Sequence, residues 1–335
     1  MTTARSRFRD APLFDVGSHA RHGPGGRDRL TGPEIEQVRR TVARAPEVMV
    51  KVVTRGQQTV VGIRRHADYI GREGEVELET DTGERLGGEG AAERLVDDWD
   101  LELDALRRSS DLAVTARAQA PKLAHKLIFS MPPGTPPEKV LGAVRDFARE
   151  EFGATHRYAM ALHTDEPHPH VHLLVKAVSE DGERLNIRKA TLRHWRAGFA
   201  EQLRARGVPA NATERAVRGQ SRKALKDEIY RAAERGRSTH LRERMRTAAN
   251  AVASGARMPT DAGVQRLYVT SERILAGYRA IADQLEEQGD RNLSGHVRAF
   301  ADRIQYPPSQ HELERDRVRE LHGLRDRARE ADITR

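Results

Sequence analysis

The chain has 335 residues, of which 37 % are hydrophobic, 4 % aromatic and 32 % charged; 58 Lys and Arg against 50 Asp and Glu give a formal charge of +8. That length holds two domains or one with extensions, and the positive balance suits a polyanionic partner such as nucleic acid, although an Arg-rich composition alone would give the same figure. The absence of cysteine excludes disulfides, thiolate zinc sites and cysteine nucleophiles, and with neither a secretory h-region nor a window near the roughly 20 apolar residues of a spanning helix, the expectation is a cytoplasmic protein with no membrane insertion.

Residues 1–46 are polar and rich in Gly, Pro and Arg, and are expected to form a flexible basic arm with a short helix at PEIEQVRRTVARA, 33–45. EVMVKVVTR (47–55) alternates and is β-branched, which predicts a strand. The spacing of Val60, Ile63 and Ile70 predicts a helix within 56–74, closed by Gly71 or Gly74. A β-hairpin is expected over 75–86 with Asp81-Thr82-Gly83 in its turn, then a helix over 90–108. The stretch 124–153 reads as strand, Pro/Gly turn and helix. HRYAMALHTD and HPHVHLLVKAV read as two strands around a polar connection, followed by an amphipathic helix over 187–207. The order β-α-ββ-α-β-α-β-β-α predicts an α+β domain over 47–215, an antiparallel sheet with flanking helices. Residues 216–335 lose the strand signal and are expected to form a charged helical C-terminal region, with helical stretches at 221–236, 240–255, 271–289 and 311–330.

The segment HTDEPHPHVHLL (163–174) holds four histidines within ten residues. On a strand, side chains two apart share a face, so His168, His170 and His172 are expected together. Pairing of the two strands brings His163 beside His170 and His172. Facing imidazoles repel when charged and gain little when neutral unless something lies between them, so the pattern predicts metal ligation. His168, nearest the turn, is the weakest member. All-histidine ligation with Asp165 nearby suits a divalent metal ion such as Mg²⁺, Mn²⁺, Zn²⁺ or Ni²⁺. A three-histidine site leaves coordination positions open for work on a phosphoryl or carbonyl oxygen.

His-Thr-Asp-x-x-His-Pro-His-Val-His resembles the third motif of the conjugative relaxases, the mobilisation nucleases of the HUH endonuclease superfamily, in their Ti-plasmid-type branch. In that likeness His170 and His172 are the histidine pair and His163 the third ligand. VKVVTRG through RRHADYIGREG (50–74) is similar to the first motif, a strand and then a helix bearing the nucleophilic tyrosine; HKLIFSMPPG (125–134) is similar to the second, a strand ending in serine. The resemblance implies Mg²⁺ or Mn²⁺, single-stranded DNA nicked at an origin of transfer, and a 5′-phosphotyrosine link. It also implies relaxosome accessory proteins, a type IV secretion coupling protein and passage to a recipient cell as DNA-bound protein. On the tyrosine motif the nucleophile is Tyr69, with Tyr158 next and Tyr230 third; amphipathic packing is the structural alternative for Tyr69.

Secondary candidates are Ser130, as a phosphate contact or a turn cap; His125, as a further site histidine or a core residue; and Asp165, as an orienter of a ligand or a turn residue. Arg64, Arg65 and Arg72 around Tyr69, and Lys176, Arg188 and Lys189 further on, are candidate DNA contacts. Trp195 could stack on a base, but its spacing with Leu192, Phe199 and Leu203 suits a core. HPHVHLL also fits the pattern of the histidine-triad nucleotide hydrolases, in which His163 and Tyr69 would have no part. A rolling-circle replication initiator, a transposase and a DNA-binding accessory protein are further alternatives.

Overall fold

The computed structural model describes residues 16, 29–53, 58–101, 122–219, 235, 237–254 and 262–304. They divide into two compact units. The first gathers the described residues between Arg39 and Ala212; the second gathers those within 15–38 and from Thr213 onward. Helix α1 (Gly32–Val42) runs across the first of these divisions.

The first unit is built on a six-stranded sheet of β1 (Met49–Val53), β2 (Leu78–Thr80), β3 (Arg85–Leu86), β4 (Ala124–Ser130), β5 (Tyr158–His163) and β6 (His170–Lys176). Its order is β1-β4-β6-β5-β2-β3, and every pairing is antiparallel. Between the strands run α2 (Val60–Ile70), α3 (Ala91–Asp98), α4 (Pro137–Phe152) and, after β6, α5 (Lys189–Ala205). This is the α+β architecture and the element order that periodicity predicts. The hairpin turn is also as expected: Gly83 takes φ +85° and its N–H donates to the Thr80 carbonyl, a left-handed position that suits glycine.

Register divides the sheet into two faces. Directly paired residues share a face, so Val50, Leu127, Phe129, Val171, Leu173 and Tyr158 point one way. There they pack with Phe147 and Phe152 of α4 and Trp195, Phe199 and Leu203 of α5 in one core. Trp195 is fully buried and donates its Nε1–H to Glu151 at 3.0 Å, a core residue and not a stacking platform. Arg145 of α4 reaches the same face in a two-pronged pair with Glu79 of β2. The opposite face carries Ala124, Ala159, Ala161 and Leu174, covered by Ile63, Ala67 and Ile70 of α2 and Leu95 and Trp99 at α3. Three alanines in this layer let α2 lie close to the strands.

The predicted helices shorten at their ends. α2 begins where Thr59 caps it, its Oγ1 accepting from the Gly62 N–H at 3.0 Å. It stops at Ile70, because Arg72 and Glu73 turn into the left-handed region at φ 47° and 55°. That conformation is costly for residues with a Cβ. The helix expected over 90–108 is seen as Ala91–Asp98, and its remainder lies outside the described residues.

The second unit contains α6 (Thr239–Ser254), α7 (Ala262–Glu287) and α8 (Arg291–Asp302). α8 was not among the helical stretches read from sequence. α7 and α8 pack on each other through Ile274, Tyr278, Ile281, Leu285, Leu293, Val297 and Phe300, all buried. Their charged composition therefore hides a small apolar core. The helical stretches expected at 221–236, apart from Arg235, and at 311–330 lie outside the described residues, and with them Tyr230. No described helix is long and apolar enough to cross a membrane.

Candidate metal centre and tyrosine

β5 and β6 pair in the register His163↔His170 and Ala161↔His172. The antiparallel pleat therefore puts His163, His170 and His172 on one face, the face α2 covers. One nitrogen from each ring lies within 4.8 Å of the others. Ring centroids are 4.6 Å apart for His163–His172, 5.2 Å for His170–His172 and 5.3 Å for His163–His170.

Hydrogen bonds orient two of the rings. Nε2 of His163 is 2.8 Å from the Ile70 carbonyl and Nδ1 of His170 is 3.1 Å from the His168 carbonyl. A carbonyl only accepts, so each of these nitrogens carries the proton, and the other nitrogen keeps its lone pair for a ligand. His172 Nδ1 is buried with no hydrogen-bond partner. Burial, with the nearby His163 and His170, pushes the His172 pKa down to about 3 and lowers that of His163. His163 and His172 are thus held neutral at pH 7, the form that ligates. An orphaned ring nitrogen in a convergent trio fits a divalent metal.

Tyr69 stands over this group. Its ring centroid is 6.0 Å from His172 and 6.3 Å from His163, yet the residue is 65 % exposed. An amphipathic packing residue would be buried beside Ile63 and Ile70; Tyr69 projects from the flank beside them, toward the histidines. Tyr158, by contrast, is buried among Phe152 and the α5 core on the other face of the sheet, and burial together with Asp81 pushes its pKa to about 12. Register separates it from the histidines.

Two residues that periodicity did not single out belong to this neighbourhood. His66, one turn before Tyr69, stacks on it at 6.1 Å and 20° and meets His172 edge-on at 5.9 Å. Burial, then Lys126 and His163, pushes its pKa to about 4. Lys126, 5 % exposed on the same sheet face, donates to the Gly62 carbonyl at 3.2 Å and ties the start of α2 to β4. The spacing His66-x-x-Tyr69 was the one available signal for the histidine.

The remaining candidates are scattered. His168 precedes β6, is exposed, and contributes only its carbonyl; Pro169 ends the strand alternation before it. Ser130, buried at the end of β4, sits directly opposite His170. Asp165 pairs with Arg72 at 2.6 Å, linking the turn after α2 to the β5–β6 connection, and that partner holds its carboxyl below the usual range. Arg64 pairs with Glu93 at 3.5 Å, whereas Arg65 is exposed and makes no ion pair among the described residues. His125 lies on the face away from the trio, with Nε2 3.2 Å from the Leu185 carbonyl. Lys176 is at the far end of β6, and Arg188 and Lys189 begin α5 on the opposite face.

Residues 78–208 match the family profile described as Relaxase: MobA/VirD2-like, nuclease domain. The chain is 26 % identical over 210 residues to the T-DNA border endonuclease VirD2 of Agrobacterium fabrum (strain C58), an alignment covering 58 % of this chain and 46 % of that protein. It is equally 26 % identical over 210 residues to the protein of that name from Rhizobium radiobacter, covering 56 % and 47 %. With that of Rhizobium rhizogenes the identity is 24 % over 199 residues, covering 52 % and 42 %. The chain spans about half the length of the curated relatives it matches. The histidine trio and Ser130 fall inside the matched range; Tyr69 lies ahead of it.

Proposed function

Because residues 78–208 match the MobA/VirD2-like relaxase nuclease profile, we propose that this protein nicks one strand of DNA at an origin of transfer with Tyr69 as nucleophile. The Tyr69 oxygen attacks the scissile phosphorus, and the Tyr O–P bond forms as the P–O3′ bond breaks. The phenolic proton leaves to solvent, and the departing 3′ oxygen gains a proton to become a free hydroxyl. The 5′ phosphate stays on the tyrosine. The phosphodiester is exchanged and not hydrolysed, so the reverse attack by a 3′-hydroxyl reseals the strand without a nucleotide cofactor.

His163, His170 and His172 would hold a divalent ion, Mg²⁺ or Mn²⁺ on the family likeness, with Zn²⁺ and Ni²⁺ also suited to imidazoles. When bound, that ion supplies Lewis-acid withdrawal of charge from a phosphate oxygen. Ile70, through its carbonyl, fixes the His163 tautomer, and Ser130 opposite His170 is a hydroxyl donor for the same phosphate. Relaxosome accessory proteins, a type IV secretion coupling protein, a bacterial cytoplasmic location and delivery to a recipient cell belong to the same reading. The observation that supports it is the exposed Tyr69 ring about one ring's width from two convergent histidines. A histidine-triad hydrolase leaves both Tyr69 and His163 without a task.

The test is a denaturing gel after incubating the protein with Mn²⁺ and end-labelled single-stranded oligonucleotides tiled across transfer origins. A covalent adduct is expected for wild type and for neither Tyr69→Phe nor the His170→Ala/His172→Ala double variant. An adduct that survives Tyr69→Phe would remove Tyr69 from its role. Turnover of a nucleotide phosphoramidate without any adduct would replace the relaxase reading with the histidine-triad one.

A further inference from the structure

The register of the sheet continues the histidine rows outward to its edge strand. His163, His170, Ser130 and Met49 are successive partners across β5, β6, β4 and β1. The next row on the same face is Ala161, His172, Ile128 and Lys51. Strands lie about 4.8 Å apart, so Met49 and Lys51 stand roughly 10 Å from His170 and His172 along their rows.

α2 does not reach this edge. Its buried stripe of Ile63, Ala67 and Ile70 shares a core with residues of β2, β3, β4, β5 and β6 but none of β1, and Lys126 fastens its first turn to β4. On a helix, Gly62, His66 and Tyr69 share the flank 3 to 4 residues apart, and the contacts of His66 and Tyr69 with His172 turn that flank toward the histidine rows. On the edge strand Met49 is 47 % exposed and Lys51 is exposed. No hydrogen bond or ion pair engages Lys51 among the described residues. The result is an open strip with a tyrosine wall, a histidine and Ile128 floor, and a rim of one apolar and one cationic side chain.

We propose that this strip seats the nucleotides adjoining the scissile phosphate, with Met49 against a base and Lys51 on a backbone phosphate of single-stranded nucleic acid. The assignment rests on the relaxase reading of the site. Its chemistry is that of single-strand grooves in general: a cation tracking the backbone beside an apolar surface for the face of an unpaired base. The rim of β1 carries both, in line with the metal-ligand rows and within reach of a chain whose reacting phosphate sits at the trio. A duplex, with its bases stacked inward, would offer Met49 nothing.

Binding of a fluorescent single-stranded oligonucleotide that forms the adduct decides it, measured with full-length Tyr69→Phe protein, so that cleavage does not intervene, across a series of salt concentrations. Adding Lys51→Gln should weaken binding several-fold and lower the slope of log K against log salt by about 0.7, the value for one phosphate contact on a single strand. Met49→Glu should weaken binding by about tenfold or more, whereas Lys139→Gln, exposed on α4 behind the sheet, should change neither quantity. These side chains are exposed, so folding is not at issue. A Lys51→Gln slope equal to that of the parent would overturn the seat while leaving the nuclease reading intact. If the wild-type chain forms no adduct and the parent binds no single strand, both fall together.

Discussion

Tyr69 is the most exposed of the large apolar and aromatic side chains in the described chain, and it points at buried, neutral imidazoles. An exposed ring contributes little to folding. Tyr69→Phe is therefore expected to abolish the adduct while moving the urea midpoint by no more than about 0.5 kcal/mol equivalent. His125 illustrates the opposite case. Burial, reinforced by Lys122, pushes its pKa to about 4, while in the unfolded chain it titrates near 6.5. The unfolded state takes up the proton first. The contribution of this group is thus fully present above pH 6.5 and is lost as the pH falls toward 4. Stability should drop by about 1–2 kcal/mol between pH 7 and pH 5 on account of this one histidine. His125→Gln, which can still donate to the Leu185 carbonyl, should flatten that part of the profile in thermal melts; an unchanged profile would assign the acid sensitivity elsewhere.

At the level of elements, the site depends on how closely α2 lies on the sheet. Ala67 is fully buried among Ala159, Ala161 and their neighbours. Ala67→Leu should overpack that layer by about 1–3 kcal/mol and lift Tyr69 from the trio. The rate of adduct formation should then fall by ten- to a hundredfold, as small misplacements of a reacting group do, while the affinity for Mn²⁺ stays near wild type. Equal losses in rate and metal affinity would mean that the sheet itself had been disturbed. Element order was legible in the sequence because strand alternation and helix spacing are local signals, and the convergence of His163, His170 and His172 followed from the same parity. What parity within one segment does not carry is which face of β4 joins which face of β6. His125 and Lys126 are neighbours in sequence, and only the pairing Lys126↔Leu174 sends the lysine to the tyrosine helix and the histidine to the other core. His66 acquires a neighbour in His172 only once α2 docks. α8 was legible by the same rule, since Leu293, Val297, Phe300 and Ala301 recur at helical spacing behind the Asp290 cap.

For the molecule as a whole, the proposed metal site would link ion binding to folding through the trio. An ion that binds only the folded chain stabilises it by about 2.7 kcal/mol at a hundred times its Kd. Mn²⁺ should therefore raise the melting temperature of the wild type and leave the His170→Ala/His172→Ala variant unmoved. Because His163 and His172 are already neutral, the shift should change little between pH 7 and pH 8. A steep rise over that interval would indicate that protons still have to be displaced from the trio. The second unit buries its own apolar set through α7 and α8, adjacent in sequence, and the trio lies within the first unit.

The strand order also has a consequence for biogenesis. β4, which arrives about 70 residues after β1, lies between β1 and β6, and the ligand-bearing β6 pairs on one side with β4 and on the other with β5. These are long-range pairings of the sort that form late. A ribosome-bound chain that has exposed Tyr69 therefore has no assembled histidine trio until β6 is complete at Lys176. On the proposed reading, a nascent or C-terminally truncated chain ending before that strand should carry the tyrosine and form no covalent adduct with DNA.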